Sequence, residues 1–297
     1  MKRRRTTALG VLAIAAGASF LAWSPLSARG QGPGPEPDGV SGATSHKPLD
    51  APPAEAASAA PAPDDRSPLD RLMAAYPGII TGAEVAGGIT TVVLADGTKL
   101  PLDDVVEKDF ETRLAKPDLE DMFTCPYPVG EMPAPPAKDA DPGRVRVFDF
   151  FAAVYGGSPR AVKANLIKVP WLPSKGGRPV RFNSRNGAAE ALARVSGELE
   201  ALPAELTRYV VRRGGTYSWR RIAGTDRPSA HGFGIAIDID TRRSDYWRWA
   251  RRQGGLVVYK NRIPLEIVAA FERNGFIWGG KWYHYDTMHF EYRPELL

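Results

Sequence analysis

Ser229-Ala230-His231-Gly232-Phe233-Gly234-Ile235-Ala236-Ile237-Asp238-Ile239-Asp240 holds two signals at once. From Ile235 onward apolar and polar residues alternate, the period of a half-buried β-strand. Ile235, Ile237 and Ile239 share one face; Ala236, Asp238 and Asp240 share the other. An acid on that second face points out of the core, into a site or into solvent. Trp282-Tyr283-His284-Tyr285-Asp286-Thr287-Met288-His289-Phe290-Glu291 ends in a similar pattern. Met288, Phe290 and Tyr292 belong to the core face of a strand, so His289 and Glu291 face away from it. Asp286 precedes His289 by three residues and would point oppositely on one regular strand. It is therefore expected in a loop or bulge entering the strand.

Working outward, Gly187 to Leu202 reads as a helix, with Leu192, Val195, Leu199 and Leu202 at helical spacing and Pro203 stopping it. Residues 264–274 read as a second, with Pro264 in its first turn and Gly275 past its end. Phe148–Tyr155 and Pro159–Ile167 are further candidates. Leu206–Val211, Phe276–Trp278 and Met288–Tyr292 are read as strands. Further upstream, Ser67-Pro68 opens a short helix over 67–76, and residues 88–102 form a hairpin turning at Asp96-Gly97. Strands in runs, with helices at irregular distances, predict an α+β fold. The expected architecture is a small, mainly antiparallel sheet with helices packed on one side and a site on the open face.

The 297 residues are 43% hydrophobic and carry one cysteine, which excludes a disulfide framework and a Cys-rich zinc site. The formal charge of +5 is unevenly spread. Residues 1–30 are basic without an acid, the next stretch to 150 is strongly acidic and the remainder basic, so the overall charge is weak evidence for a nucleic-acid partner. No nucleic-acid partner is expected. Lys2-Arg3-Arg4-Arg5, an uncharged apolar stretch over 6–23 and small residues up to Ala28 have the shape of a signal peptide. The same stretch could be retained as an N-terminal membrane tether. Either way the body is expected to be exported, to a periplasm or cell envelope. Residues 29–66, rich in Pro and Ala, read as a disordered linker, residues 67–125 as a small β-containing region, and residues 126–297 as the main domain with its core at about 206–293. The chain is expected to be a monomer.

Three of the four histidines lie at or after His231. His231, Asp238 and His289 make a three-ligand zinc set that leaves a fourth position for water, as a catalytic ion requires. Asp286 is then the spare carboxylate able to take that water's proton. The two segments resemble the D-alanyl-D-alanine carboxypeptidase family of zinc peptidases, of VanY type, related to D,D-dipeptidases and L-alanyl-D-glutamate endolysins. The family pattern Ser-x-His-x6-Asp followed by Asp/Glu-x-x-His is met at Ser229, His231, Asp238, Asp286 and His289. The resemblance implies one Zn2+ on His231, Asp238 and His289, Asp286 as general base and Arg220 as the arginine that stabilises the oxyanion. Ser229, Trp282 and His284 are candidates for substrate binding, and Glu291 either orients a ligand imidazole or pairs with an arginine.

The resemblance implies an exported zinc peptidase acting on peptidoglycan stem peptides, as a D-alanyl-D-alanine carboxypeptidase. The alternatives are an L,D- or D,D-endopeptidase of the same fold and a non-catalytic, metal-containing wall-binding module.

Overall fold

In a computed structural model of the chain, the structure describes residues 65–222, 225 and 227–297. The expected signal segment 1–28 and all but the last two residues of the linker 29–66 lie outside the described residues. Among the described residues no helix is long and apolar enough to cross a membrane.

The chain folds as α+β, with small antiparallel sheets and short helices. Helix α1, Pro68–Ala75, starts where Ser67 accepts a hydrogen bond from Asp70 N at 3.2 Å. Strands β1 (Ile80–Ala86), β2 (Ile89–Leu94) and β3 (Lys99–Pro101) form an antiparallel sheet. The 88–102 hairpin is thus present, and Asp96 caps its turn by accepting from Thr98 N at 2.9 Å. The preceding strand β1, turning at Gly87-Gly88, is an addition to the sequence reading. Val92, Leu94 and Leu100 join Leu72 and Tyr76 in the same buried cluster as Phe150, Leu192 and Phe271.

After α2 (Phe110–Ala115) come α3 (Phe148–Tyr155), α4 (Pro159–Asn165) and a two-stranded ribbon of β4 (Leu166–Val169) and β5 (Val180–Asn183). Here the sequence reading needs correction. The helix expected over 159–167 stops at Asn165, because Leu166 and Ile167 pair with Asn183 and Phe182. Tertiary pairing overrides local periodicity for such a short run.

Helix α5 (Ala188–Glu200) buries Leu192, Val195 and Leu199 as the spacing required. The strand expected over 206–211 is absent. Pro203 opens a helical turn, α6 (Ala204–Thr207), whose carbonyl accepts from Thr207 N at 3.0 Å, and Val211 N closes onto Thr207 O. The strand at this place in the sheet is instead β6, Arg213–Gly215.

The principal sheet runs β10-β11-β7-β6, all antiparallel, with β7 Ala236–Ile239, β10 Phe276–Trp278 and β11 His289–Tyr292. Helix α7 (Ala230–Phe233) precedes β7; a small hairpin of β8 (Arg252–Gln253) and β9 (Leu256–Val257) precedes α8 (Leu265–Glu272). One sheet face packs on α8, where Phe271 stacks on Phe290 with ring centroids 3.8 Å apart. Ile237 and Ile239 are fully buried. Asp238 and His289 lie directly opposite each other in register on the other face.

The Pro-rich stretch after Tyr127 has little regular structure and is tied at its start to the end of α8 and to Lys281. Glu272 accepts from Tyr127 Oη at 2.6 Å and from Gly130 N at 2.9 Å, and the buried Lys281 ammonium donates to Gly130 O at 2.6 Å. A second buried ionic group closes the chain: Arg293, wholly inaccessible, pairs with Glu295 at 2.5 Å and Glu291 at 3.3 Å, and Tyr76, which caps the end of α1, donates to Glu295 at 2.8 Å. Removing one partner from such a group leaves uncompensated charge in the interior. Arg293→Met is therefore expected to cost about 3–5 kcal/mol of folding stability, read by urea unfolding. A loss below about 1 kcal/mol would show that the network contributes little.

Candidate metal centre

His231 sits on the one-turn helix α7, which ends at Gly234 in a left-handed conformation, φ 69°. A Cβ there would come within 2.5 Å of Leu166 Cδ2, so the reversal into β7 needs glycine. That reversal brings His231 beside Asp238, seven residues later, with Nε2 3.1 Å from Oδ1. The β7–β11 register supplies His289, whose Nδ1 lies 3.2 Å from the same Oδ1. One ligand atom from each of the three residues lies within 4.8 Å of the others.

The outward nitrogens decide the chemistry. His231 Nδ1 is 2.6 Å from the carbonyl of Thr216, which can only accept, so that nitrogen carries a proton. His289 Nε2 is 3.2 Å from Glu291 Oε2 and is fixed as a donor in the same way. Neutral imidazoles so arranged point two lone pairs at a carboxylate oxygen. Three acceptors converging in a buried place need a cation between them. Without a metal, a proton must serve: burial pushes His289 down, but the hydrogen bonds and charges of Asp238 and Glu291 outweigh it and raise the imidazole to about 9. Burial raises Asp238 too, and is overcome by His231 and His289, which hold it far below the usual carboxylate range. Two imidazoles and a carboxylate suit Zn2+.

Glu291 does both things foreseen for it. It orients His289 and pairs with the Arg146 guanidinium, with Nε at 2.6 Å. Burial opposes its charge, but Arg146 first, then His289 and Arg293, keep it ionised well below the usual range.

Asp286 lies in the loop before β11, as its spacing from His289 required. Its amide donates to Gly279 O at 2.9 Å, and a Cβ at Gly279 would press within 2.7 Å of the Asp286 carbonyl. The residue is half-buried, and its Oδ1, which water does not reach, has no hydrogen-bond partner. Burial is the main cause that pushes its carboxyl up to about 6; the Asp238 charge adds to this while His289 and His231 oppose it. A carboxylate tuned upward beside a metal set is fitted to take a proton near neutrality.

A cleft of about 290 Å³ joins these groups. His231, Asp238, Asp286 and His289 line it, as do Arg220, Ser229, Trp282 and His284. Arg220 is exposed on the loop before α7. Ser229 occupies the N-cap position of α7 without making a side-chain capping bond. The Trp282 ring lies 5.6 Å from His289, and its indole nitrogen donates to Pro142 O. His284 stands outside the ligand set: its Nδ1 is 2.7 Å from Asp141 Oδ2, and Trp247 meets its ring edge-on at 4.7 Å. Asp240 is tied to Arg242 at 3.0 Å rather than to the site, and Trp278 is buried in the core.

Arg144, Arg146, Tyr246, Trp247 and Trp249 also line the cleft and escaped the sequence reading. Arg144-Val145-Arg146 carried a usable signal, two arginines two apart beside a run of hydrophobics. The aromatic residues carried none that distinguishes a cleft wall from core.

Residues 223–292 match a family model described as D-alanyl-D-alanine carboxypeptidase. The match bears out the resemblance on the segment holding all three candidate ligands and Asp286. This segment is similar to a peptidase of the D-alanyl-D-alanine carboxypeptidase type. No curated protein and no solved structure matches the chain significantly.

Two outcomes test the centre. Glu291→Gln is expected to weaken zinc binding by about 10- to 100-fold in chelator competition, since it supports a ligand without being one. Zinc binding near pH 7 is expected to release about one proton, the one His289 holds, read by calorimetry in buffers of different ionisation enthalpy. No proton release would contradict the shared need for one cation.

Proposed function

We propose that the chain is an exported zinc peptidase that hydrolyses peptidoglycan stem peptides, as a D-alanyl-D-alanine carboxypeptidase. One observation carries this: a half-buried, upward-tuned carboxylate, Asp286, stands in the same cleft as three converging metal donors. The family match to the same segment supports the choice of a peptide substrate. Export rests on the N-terminal pattern of charge, apolar stretch and small residues in the sequence.

His231, Asp238 and His289 would hold the ion. Bound there, zinc supplies Lewis-acid polarisation of a carbonyl and an acidified water. The protein's own groups divide the remaining work. Asp286 accepts the proton of the attacking water and returns it to the leaving amine, so that the C–N bond breaks to a neutral amine. Arg220, exposed on the cleft wall, offers guanidinium donors to the developing oxyanion. Ser229 and His284 offer hydrogen bonds along the wall, and Trp282 covers the His289 side with an apolar face. Arg144 and Arg146 line the cleft in ion pairs with Asp141 and Glu291 and leave their remaining N–H groups for the carboxylates of stem peptides.

Metal content and digestion of stem peptides, resolved by mass spectrometry, test the reading. Wild type is expected to hold one zinc and release a single D-Ala. Asp286→Asn keeps zinc and lowers kcat by about 10²–10⁴-fold; His231→Ala loses both. Larger fragments would make it an endopeptidase. Zinc without cleavage of any stem peptide would bring forward a binding module.

The pH profile gives a second test. Asp286 must be ionised to act, so kcat/KM is expected to fall as pH drops below about 6, the value to which burial raises it. A bound dication favours the carboxylate, so it shifts this limb only to lower pH. An acid limb well above 6 would remove Asp286 as the base.

A further inference from the structure

Tyr246-Trp247-Arg248-Trp249-Ala250-Arg251-Arg252, followed by the β8–β9 hairpin and Lys260 and Arg262, contributes no group to the chemistry above. From 246 to 262 the chain has five basic residues; Asp245, just ahead of them, pairs with Lys260 at 3.3 Å and Arg262 at 2.9 Å, while Arg251 and Arg252 are exposed. The stretch also leaves apolar surface in water: Trp249 is 65% exposed, Leu256 51% and Val258 44%. Single exposed apolar residues are ordinary, but three in so short a stretch call for an explanation.

The stretch is fastened to the site. Trp249 lines the metal cleft while most of its surface stays open. Its ring meets Tyr246 edge-on at 5.5 Å, and Tyr246 forms a β-bridge with Asp286. Val257 N donates to Tyr283 Oη at 3.0 Å, and Tyr285 Oη donates to Val258 O at 3.1 Å. Both tyrosines belong to the loop that carries Asp286. An exposed indole and a basic hairpin are thus held in register with the catalytic loop.

We propose that Trp249 and the hairpin behind it are a docking surface for the glycan strand from which the stem peptides hang. The identity of that polymer rests on the function proposed above. A pyranose ring presents a face of C–H groups that lies flat on an indole, while its hydroxyls remain free for water and guanidinium donors. Arg251 and Arg252, exposed beside the indole, supply guanidinium donors for those hydroxyls and for the carboxylates of the stems that the strand carries. An indole among arginines also suits an anionic bilayer. Trp249, however, walls the cleft itself, so its occupant must reach into the cleft, which a polymer with peptide branches does and a bilayer does not.

The test uses the full chain in non-ionic detergent, zinc-loaded and carrying Asp286→Asn so that the polymer stays intact. Co-sedimentation with purified peptidoglycan is the readout. Trp249→Ala is expected to weaken binding by about tenfold, the scale of one aromatic contact removed from an interface. Trp249→Phe, which keeps a ring, is expected to retain most of it. Glycan strands stripped of peptides should compete. Binding indifferent to Trp249→Ala would overturn the proposal, as would displacement by free stem peptides but not by stripped glycan. So would a Trp249 dependence found on vesicles of phosphatidylglycerol and phosphatidylethanolamine instead. Cleavage plays no part in the measurement. A chain that binds through Trp249 yet cuts no stem peptide would therefore sink the peptidase reading alone.

Discussion

Three acceptors, two imidazole nitrogens and one oxygen of Asp238, converge at one place, and the surrounding structure is arranged to hold them there. Thr216 fixes the His231 tautomer and Glu291 fixes that of His289. In water these groups would turn away from one another. In the interior they are held together, so the centre is stable only with a positive charge inside it. A proton on His289 meets that need in part; a zinc ion meets it at all three donors.

The supports extend well beyond the centre. Glu291 is held by Arg146 and Arg293, Arg293 by Glu295, and Glu295 by Tyr76 at the end of the first helix. The region before residue 125 is therefore linked to the candidate ligand His289 through a chain of buried charges, and its apolar residues share the main core. Buried ion pairs seldom add much stability over apolar packing, but each becomes costly when one partner is lost. Their value here is positional: they keep one imidazole edge pointing at one carboxylate.

The sequence made the centre more legible than the scaffold. Alternation around Asp238 and His289 identified the site face, and the three-residue step from Asp286 to His289 foretold a loop. Both inferences use the period of a strand, a strong local constraint. Leu206–Val211 defeated the same reasoning, since a short apolar run fits a helical turn equally well once Pro203 starts one. Leu166 and Ile167 became strand only because Phe182 and Asn183 lie opposite them, which no local pattern reveals. Arg146 was missed for a related reason: its meaning comes from Glu291, 145 residues away.

The most direct measurement of the central claim is zinc-edge X-ray absorption on the metal-loaded chain. Four light scatterers at about 2.0–2.2 Å, two of them with the multiple-scattering pattern of imidazole and none of them sulfur, are the predicted result. A single imidazole, a sulfur shell from Cys125, or six oxygen-type ligands would contradict it. Any of these would place the ion somewhere other than between His231, Asp238 and His289.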